Sequence, residues 1–144
     1  MRIESIAISR SKGTTKKPVD EVLLVEELGL EGDAHAGAWH RQVSLLSVES
    51  IAKMQNLGIE LQPGDFAENL TVEGMDLLSL APGTHILVGE TIELEVTQIG
   101  KECHSGCAIQ KLVGKCIMPK EGIFARVIRG GIVRPGDRVA IARE

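Results

Sequence analysis

Residues 103–107 read Cys-His-Ser-Gly-Cys, and a third cysteine follows at position 116. Three thiols and an imidazole in a short glycine-containing stretch are a reactive grouping. A cysteine does chemistry as the thiolate, which needs a positive charge or a metal nearby. Lys101, Lys111 and Lys115 lie around the cluster and supply that charge. A structural zinc site of Cys3His type is one reading, but zinc knuckles usually present C-x2-C, whereas the spacing here is C-x3-C with a distant third cysteine. The plain alternative is that the cysteines, two of the three Cys103, Cys107 and Cys116 more readily than all of them, are small buried apolar residues. An odd cysteine count excludes a fully paired disulfide framework and fits a reducing, cytoplasmic setting.

A second grouping runs Gly32-Asp33-Ala34-His35-Ala36-Gly37 and continues through Trp39-His40-Arg41-Gln42. Glycines let a backbone approach a ligand closely. Asp33, His35 and Arg41 add an anion, an imidazole that can switch charge, and a fixed guanidinium, a set able to orient a polar ligand. The same residues can also satisfy one another as a self-bonded loop. A third grouping, Lys12-Gly13-Thr14-Thr15-Lys16-Lys17, can hold a phosphate through its lysines, yet it is no G-x4-G-K-[ST] loop and a solvated basic loop is the stronger reading of it. The chain contains no G-x-S-x-G, H-E-x-x-H or G-x-G-x-x-G motif.

The elements that must position these groups read as β. Residues 1–9 alternate apolar and polar, 20–27 and 43–46 are rich in Val and Leu, and 91–99 puts Ile92, Leu94 and Val96 on one face against Glu93, Glu95 and Thr97 on the other. Further strands are expected at 65–72, 85–88 and 138–142, and 123–128 fits a short helix or a strand. Ser47 caps a short helix that ends near Asn56-Leu57-Gly58. Residues 10–19 and 29–42 read as loops, 129–131 as a turn, and 100–122 as irregular, with a helical turn near 108–112. Short strands separated by glycine turns imply a closed or partly closed β-barrel with few helices, forming a single domain over 1–144.

Bulk properties narrow the function. A net charge of -4, with one Trp, two Phe and no Tyr, provides neither the basic surface nor the stacking platforms of a nucleic-acid binder. The core must be built of Val, Ile, Leu and Met. No apolar run is long enough to span a membrane, and residues 1–10 lack the apolar stretch of a signal peptide.

Four ordered motifs resemble those of the MOSC domain family. Gly29-Leu30-Glu31-Gly32-Asp33-Ala34-His35-Ala36-Gly37 with Arg41-Gln42-Val43-Ser44-Leu45-Leu46 resembles the family's opening signature. Phe66-Ala67-Glu68-Asn69-Leu70 is similar to its second motif. Gly114-Lys115-Cys116, followed by Gly122-Ile123-Phe124-Ala125-Arg126-Val127 and Gly136-Asp137, is similar to its third. The Lys12-Gly13-Thr14 loop resembles that of short bacterial stand-alone members. The resemblance implies a mostly β fold, a strongly bent barrel similar to the barrel domain of pyruvate kinase. It also implies binding of the molybdopterin form of the molybdenum cofactor.

In the amidoxime-reducing branch of the family a cysteine ligates molybdenum, and the matching position here is Cys116. Asn69 matches an asparagine of that branch. Lys115 or Arg126 would make the electropositive neighbour of the thiolate. Asp33, His35, Arg41 and Asn69 would shape the pocket, and Lys12 and Lys16 would hold the pterin phosphate. Molybdenum accepts sulfur ligands readily, and a cysteine in such a segment can instead carry a persulfide. The chain has neither the arginine-bearing extension of the amidoxime-reducing proteins nor the desulfurase domain of full sulfurases, so pyridoxal phosphate is not expected on it. Three functions are compatible with these residues: a cofactor-binding or sulfur-carrier module, an oxidoreductase acting on N-hydroxylated substrates, and a non-catalytic partner of a molybdenum-cofactor enzyme or cofactor-biosynthesis protein.

Overall fold

A computed structural model of the chain describes residues 1–9, 16–34, 36–37, 39, 42–55, 68–100 and 122–142. The apolar alternation sets the strands. In chain order they are β1 (Arg2–Ile8), β2 (Lys17–Val19), β3 (Val22–Val25), β4 (Gly29–Leu30), β5 (Val43–Ser47), β6 (Leu70–Glu73), β7 (His85–Val88), β8 (Ile92–Ile99), β9 (Ile123–Arg129), β10 (Gly131–Val133) and β11 (Val139–Ile141). One helix, α1 (Val48–Gln55), follows β5, and a 3-10 turn (Leu77–Ser79) follows β6.

β1, β2 and β5 to β9 join β11 in one eight-stranded sheet of order β11-β7-β8-β9-β5-β6-β1-β2, and β10-β3-β4 form a smaller one. Every ladder is antiparallel except β5–β6, which is parallel with Leu45 beside Leu70. That pair needs a crossover, and α1 begins it. The large sheet curls until its start and end meet. Ile3 N–H donates to the Asp137 carbonyl at 2.9 Å, and Gly136 N–H donates to the Ile3 carbonyl at 2.7 Å. An isolated bridge pairs Arg2 with Arg138. Among the described residues no ladder joins β11 to β2, so the sheet curls as a barrel does but is not closed by hydrogen bonds. Its interior is aliphatic: Ile3, Leu30, Leu45, Leu70, Ile86 and Leu94 belong to one buried cluster that also takes in Met75, while the buried Phe124 is outside it.

The expected strands at 85–88 and 91–99 form as β7 and β8. Residues 123–129 settle as strand because they pair with both β8 and β5. The helix cap forms as expected, with Ser50 N–H donating to Ser47 Oγ at 3.0 Å. Three short strands were not expected: β2 and β4 lie in stretches read as loop, and β10 starts at the last residue of a stretch read as a turn. Each is recruited by a partner strand, as when Ile6 and Ile8 pair with Val19 and Lys17. β6 covers 70–73 where 65–72 was expected; residues 61–67 lie outside the described part, as do the helix end at 56–58 and the irregular segment 101–121.

Candidate functional site

The 28–41 segment, which opens with β4, is flanked by two residues that both attach to one residue of β9. Beyond the Val43–Ala125 pair, β5 no longer covers that edge of β9, and the main-chain groups of Val127 need other partners. Gln42 supplies one: its buried side-chain Oε1 accepts the Val127 N–H at 2.9 Å. Glu27 supplies the other, its N–H donating to the Val127 carbonyl at 2.9 Å. The residues before and after the loop are thus hydrogen-bonded to the same residue. Glu27 takes a left-handed backbone, φ 58°. Gly29 makes the closure possible: at φ 124° a Cβ on it would stand 2.7 Å from the Gln42 carbonyl oxygen.

The middle of the loop is fastened by an ion pair. The ammonium of Lys16 lies 2.7 Å from Asp33 Oδ1, and both side chains are 0% exposed. Lys16 Nζ also donates to Ser9 Oγ at 3.3 Å, and Ser9 N–H donates to Asp33 Oδ1 at 3.0 Å. Ala34 N–H donates to the Ser9 carbonyl at 2.7 Å and Gly37 N–H to the Leu28 carbonyl at 2.7 Å. Asp33 therefore gathers the end of β1 and the residue before β2.

Asn69 immediately precedes β6 and is fully buried. Its Oδ1 accepts Ser44 N–H at 3.0 Å and Ser44 Oγ–H at 3.2 Å, and its Nδ2 donates to the Ala7 carbonyl at 3.1 Å. The side chain thus bridges β5 and β1 just before β6 starts. Beside it, the buried Glu68 accepts a hydrogen bond from Thr71 Oγ1 at 3.2 Å.

Arg126 points to the outer face of the large sheet. Its Nε donates to Glu95 Oε1 at 2.5 Å and its Nη1 to Glu27 Oε1 at 3.1 Å. The Glu95 hydrogen bond strengthens its hold on the proton, with burial opposing and Glu27 adding to the effect. Its charge is balanced by two carboxylates, and the contact with Glu27 also steadies the start of the 28–41 loop. On the same face His85 Nδ1 meets Glu93 Oε2 at 2.5 Å, and Arg129 Nη2 donates to Glu93 Oε1 at 2.9 Å. The His85 hydrogen bond holds the Glu93 carboxyl below the usual carboxylate range, against burial and with help from Arg129.

The structure thus brings Lys16 and Asp33 into direct contact, sets Asn69 along the same end of β1, and links Arg126 to the loop through Glu27. Lys12, His35, Arg41 and Cys116 lie outside the described residues. The cysteine segment departs from and returns to one point, where Gly100 N–H donates to the Gly122 carbonyl at 2.7 Å beside the Ile99–Ile123 pair. Sequence reasoning passed over Ser9, Glu27 and Gln42. Gln42 stood inside the quoted motif, but nothing in the sequence marks a side chain that will serve a strand edge.

Among the described residues, no three His, Cys, Asp or Glu side chains are grouped to hold a metal ion. The soft donors of this chain, Cys103, Cys107 and Cys116, are the ones whose chemistry suits a sulfur-ligated metal. A cavity of about 310 Å³ lies elsewhere, between the start of α1 and the turn after β6, with Ser47, Ser50, Met75 and Leu77 in its wall. Among the described residues, none of the expected site residues lines it. No described helix is long and apolar enough to cross a membrane.

A family model for the MOSC domain matches residues 32–140. The fold is similar to that of the YuaD protein from Bacillus subtilis, at 24% identity and a TM-score of 0.79 over 96% of this chain and 93% of that one. It is also similar to YiiM from Geobacillus stearothermophilus, at 21% identity and a TM-score of 0.73 over 99% of this chain and 75% of that one. YiiM from Escherichia coli aligns at 22% identity and a TM-score of 0.70, over 100% and 71%. No curated protein matches the chain.

Proposed function

The chain belongs to the MOSC domain family, and from that premise we propose that it binds a molybdopterin-type cofactor, or handles sulfur for it, through the thiolate of Cys116. The family is associated with that cofactor. The observation that carries the reading is the extent of the match, residues 32–140, which takes in Cys116 together with the loop fastened at Asp33 and Val127. The bound cofactor would supply a sulfur-ligated metal able to accept one further thiolate.

The geometry supports a division of labour among the candidate residues. Lys16, Asp33, Asn69 and Arg126 already hold protein partners and act as supports. The proposal gives the ligand-facing roles to Cys116, Lys12, His35 and Arg41: the thiolate for metal or sulfur, Lys12 for the pterin phosphate, His35 and Arg41 for polar edges. Arg126 is already balanced by Glu95 and Glu27, so the proposal assigns the positive charge beside the thiolate to Lys115, the neighbour of Cys116 in sequence. The partner is a molybdenum-cofactor enzyme or a protein of cofactor assembly.

The test is elemental analysis and oxidised-pterin fluorescence on protein purified from a cofactor-producing host, wild type beside Cys116→Ser. Molybdenum and pterin in the wild type, lost in the variant, is the expected result. Sulfane sulfur on Cys116 without metal supports the sulfur-handling form of the proposal. Equal loading of both proteins, or neither metal, pterin nor sulfane sulfur on the wild type, refutes it.

A further inference from the structure

We propose that the buried Lys16–Asp33 pair is a positioning device for the 28–41 loop rather than a source of fold stability, and that ligand capture depends on it. Its ligand-capture half rests on the function proposed above. Both side chains are wholly excluded from water, with 2.7 Å between Nζ and Oδ1. Removing two charges from water costs about as much as their attraction returns, so an apolar pair of similar volume would stabilise the fold equally well. The charges must therefore be explained by something an apolar pair lacks, and that is direction.

An apolar contact tolerates sliding; a loop shifted by a few tenths of an ångström still buries the same surface. The ion pair does not. Asp33 Oδ1 accepts from both Lys16 Nζ and Ser9 N–H, while the same ammonium donates to Ser9 Oγ. Displacing Asp33 would leave an uncompensated charge in the interior, which is far costlier than a lost apolar contact. Asp33 is thereby restricted to one placement. Ser9 and Lys16 also bound the segment that carries Lys12, and Asp33 stands two residues before His35. One fastening therefore fixes the bases of two segments expected to reach the ligand. In this assignment Lys16 and Asp33 are positioning residues that touch no ligand.

The experiment uses the full chain and the apolar double variant K16M/D33L beside wild type and the two single variants. Three quantities are read: the urea unfolding midpoint, amide hydrogen exchange, and molybdenum and pterin content. The decisive amides are Ala34 and Gly37, whose acceptors, the Ser9 and Leu28 carbonyls, survive the substitutions.

The double variant, which still deprives the Ser9 N–H of its acceptor, is expected to unfold only slightly below the wild-type midpoint, while each single variant, left with one buried charge, unfolds clearly earlier. In the double variant Ala34 and Gly37 exchange at least about tenfold faster, with the β8 amides unchanged. Cofactor content falls at least about tenfold, the usual scale for losing the support behind a ligand. A double variant that fails to fold or unfolds with the singles overturns the proposal, because the pair would then be a stability element. A stable double variant with wild-type protection at Ala34 and Gly37 overturns it as well. A wild type without metal, pterin or sulfane sulfur refutes the cofactor reading alone, and the exchange rates still decide the positioning role.

Discussion

Replacing Asn69 by alanine separates support from ligand at a residue that the family resemblance alone would place in the pocket. The side chain is fully buried and holds three hydrogen bonds across the gap between β5 and β1. Truncation leaves the Ser44 N–H and the Ala7 carbonyl without this partner in the interior. Each buried orphan costs about 1–3 kcal/mol, and the small void adds to it. The expected loss is about 3–5 kcal/mol, a large share of the roughly 5–15 kcal/mol that holds a domain together. At roughly 3–5 °C per kcal/mol for a chain of this size, the melting midpoint falls by about 10–20 °C. Urea unfolding followed by circular dichroism reports the sheet, and the fluorescence of Trp39, the single tryptophan, reports the loop. Both transitions should move together. Asn69→Asp is expected to be no better, since it keeps the acceptor for Ser44 but turns a carboxylate oxygen on the Ala7 carbonyl. A loss below about 1 kcal/mol for Asn69→Ala would refute the reasoning, because these bonds would then be dispensable.

Other substitutions test the remaining fastenings. Gln42→Leu preserves bulk but orphans the Val127 N–H, for an expected cost of about 1–3 kcal/mol and selective loss of exchange protection at that amide. Gly29→Ala must bring a methyl to 2.7 Å from the Gln42 carbonyl at a φ of 124°, so its melting midpoint should drop clearly; an unchanged midpoint would mean the two chain segments can part at little cost. Glu93 has its carboxyl held low by the His85 hydrogen bond, so its contribution to stability is complete above the ordinary carboxylate range and is lost as pH falls through the lowered value. In His85→Ala the Glu93 carboxyl should titrate at higher pH, which side-chain carbon NMR can follow.

Much of the framework could be read from residue order because strand alternation is a local property. Ile92, Leu94 and Val96 must share a face whatever they pack against, and β8 forms where that pattern lies. Ser47 announces the helix start because capping needs only the next three residues. The short strands β2, β4 and β10 carry no such pattern; they exist because a neighbour offers its edge, and the neighbour is distant in sequence. The same holds at the site. Lys16 and Asp33 were both marked as candidates, but their contact arises from the end of β1 meeting the middle of a loop, and the sequence suggested phosphate for the lysine instead. Glu27 and Gln42 were invisible for a like reason, since their partner Val127 stands 85 positions beyond Gln42.

The hydrogen bond between Gly100 and Gly122 gives the domain the character of an exchangeable mount. β8 and β9 stay paired, through two register shifts, up to Ile99–Ile123, so the two stems of the cysteine-bearing segment are held together by the sheet itself. The entropy of closing a loop grows only logarithmically with its length, so residues can be added or removed between those stems at small cost to the sheet. Descendants of one barrel can thus trade reactive segments of different length and composition, as a tool handle accepts different heads, while the strands that carry them stay the same.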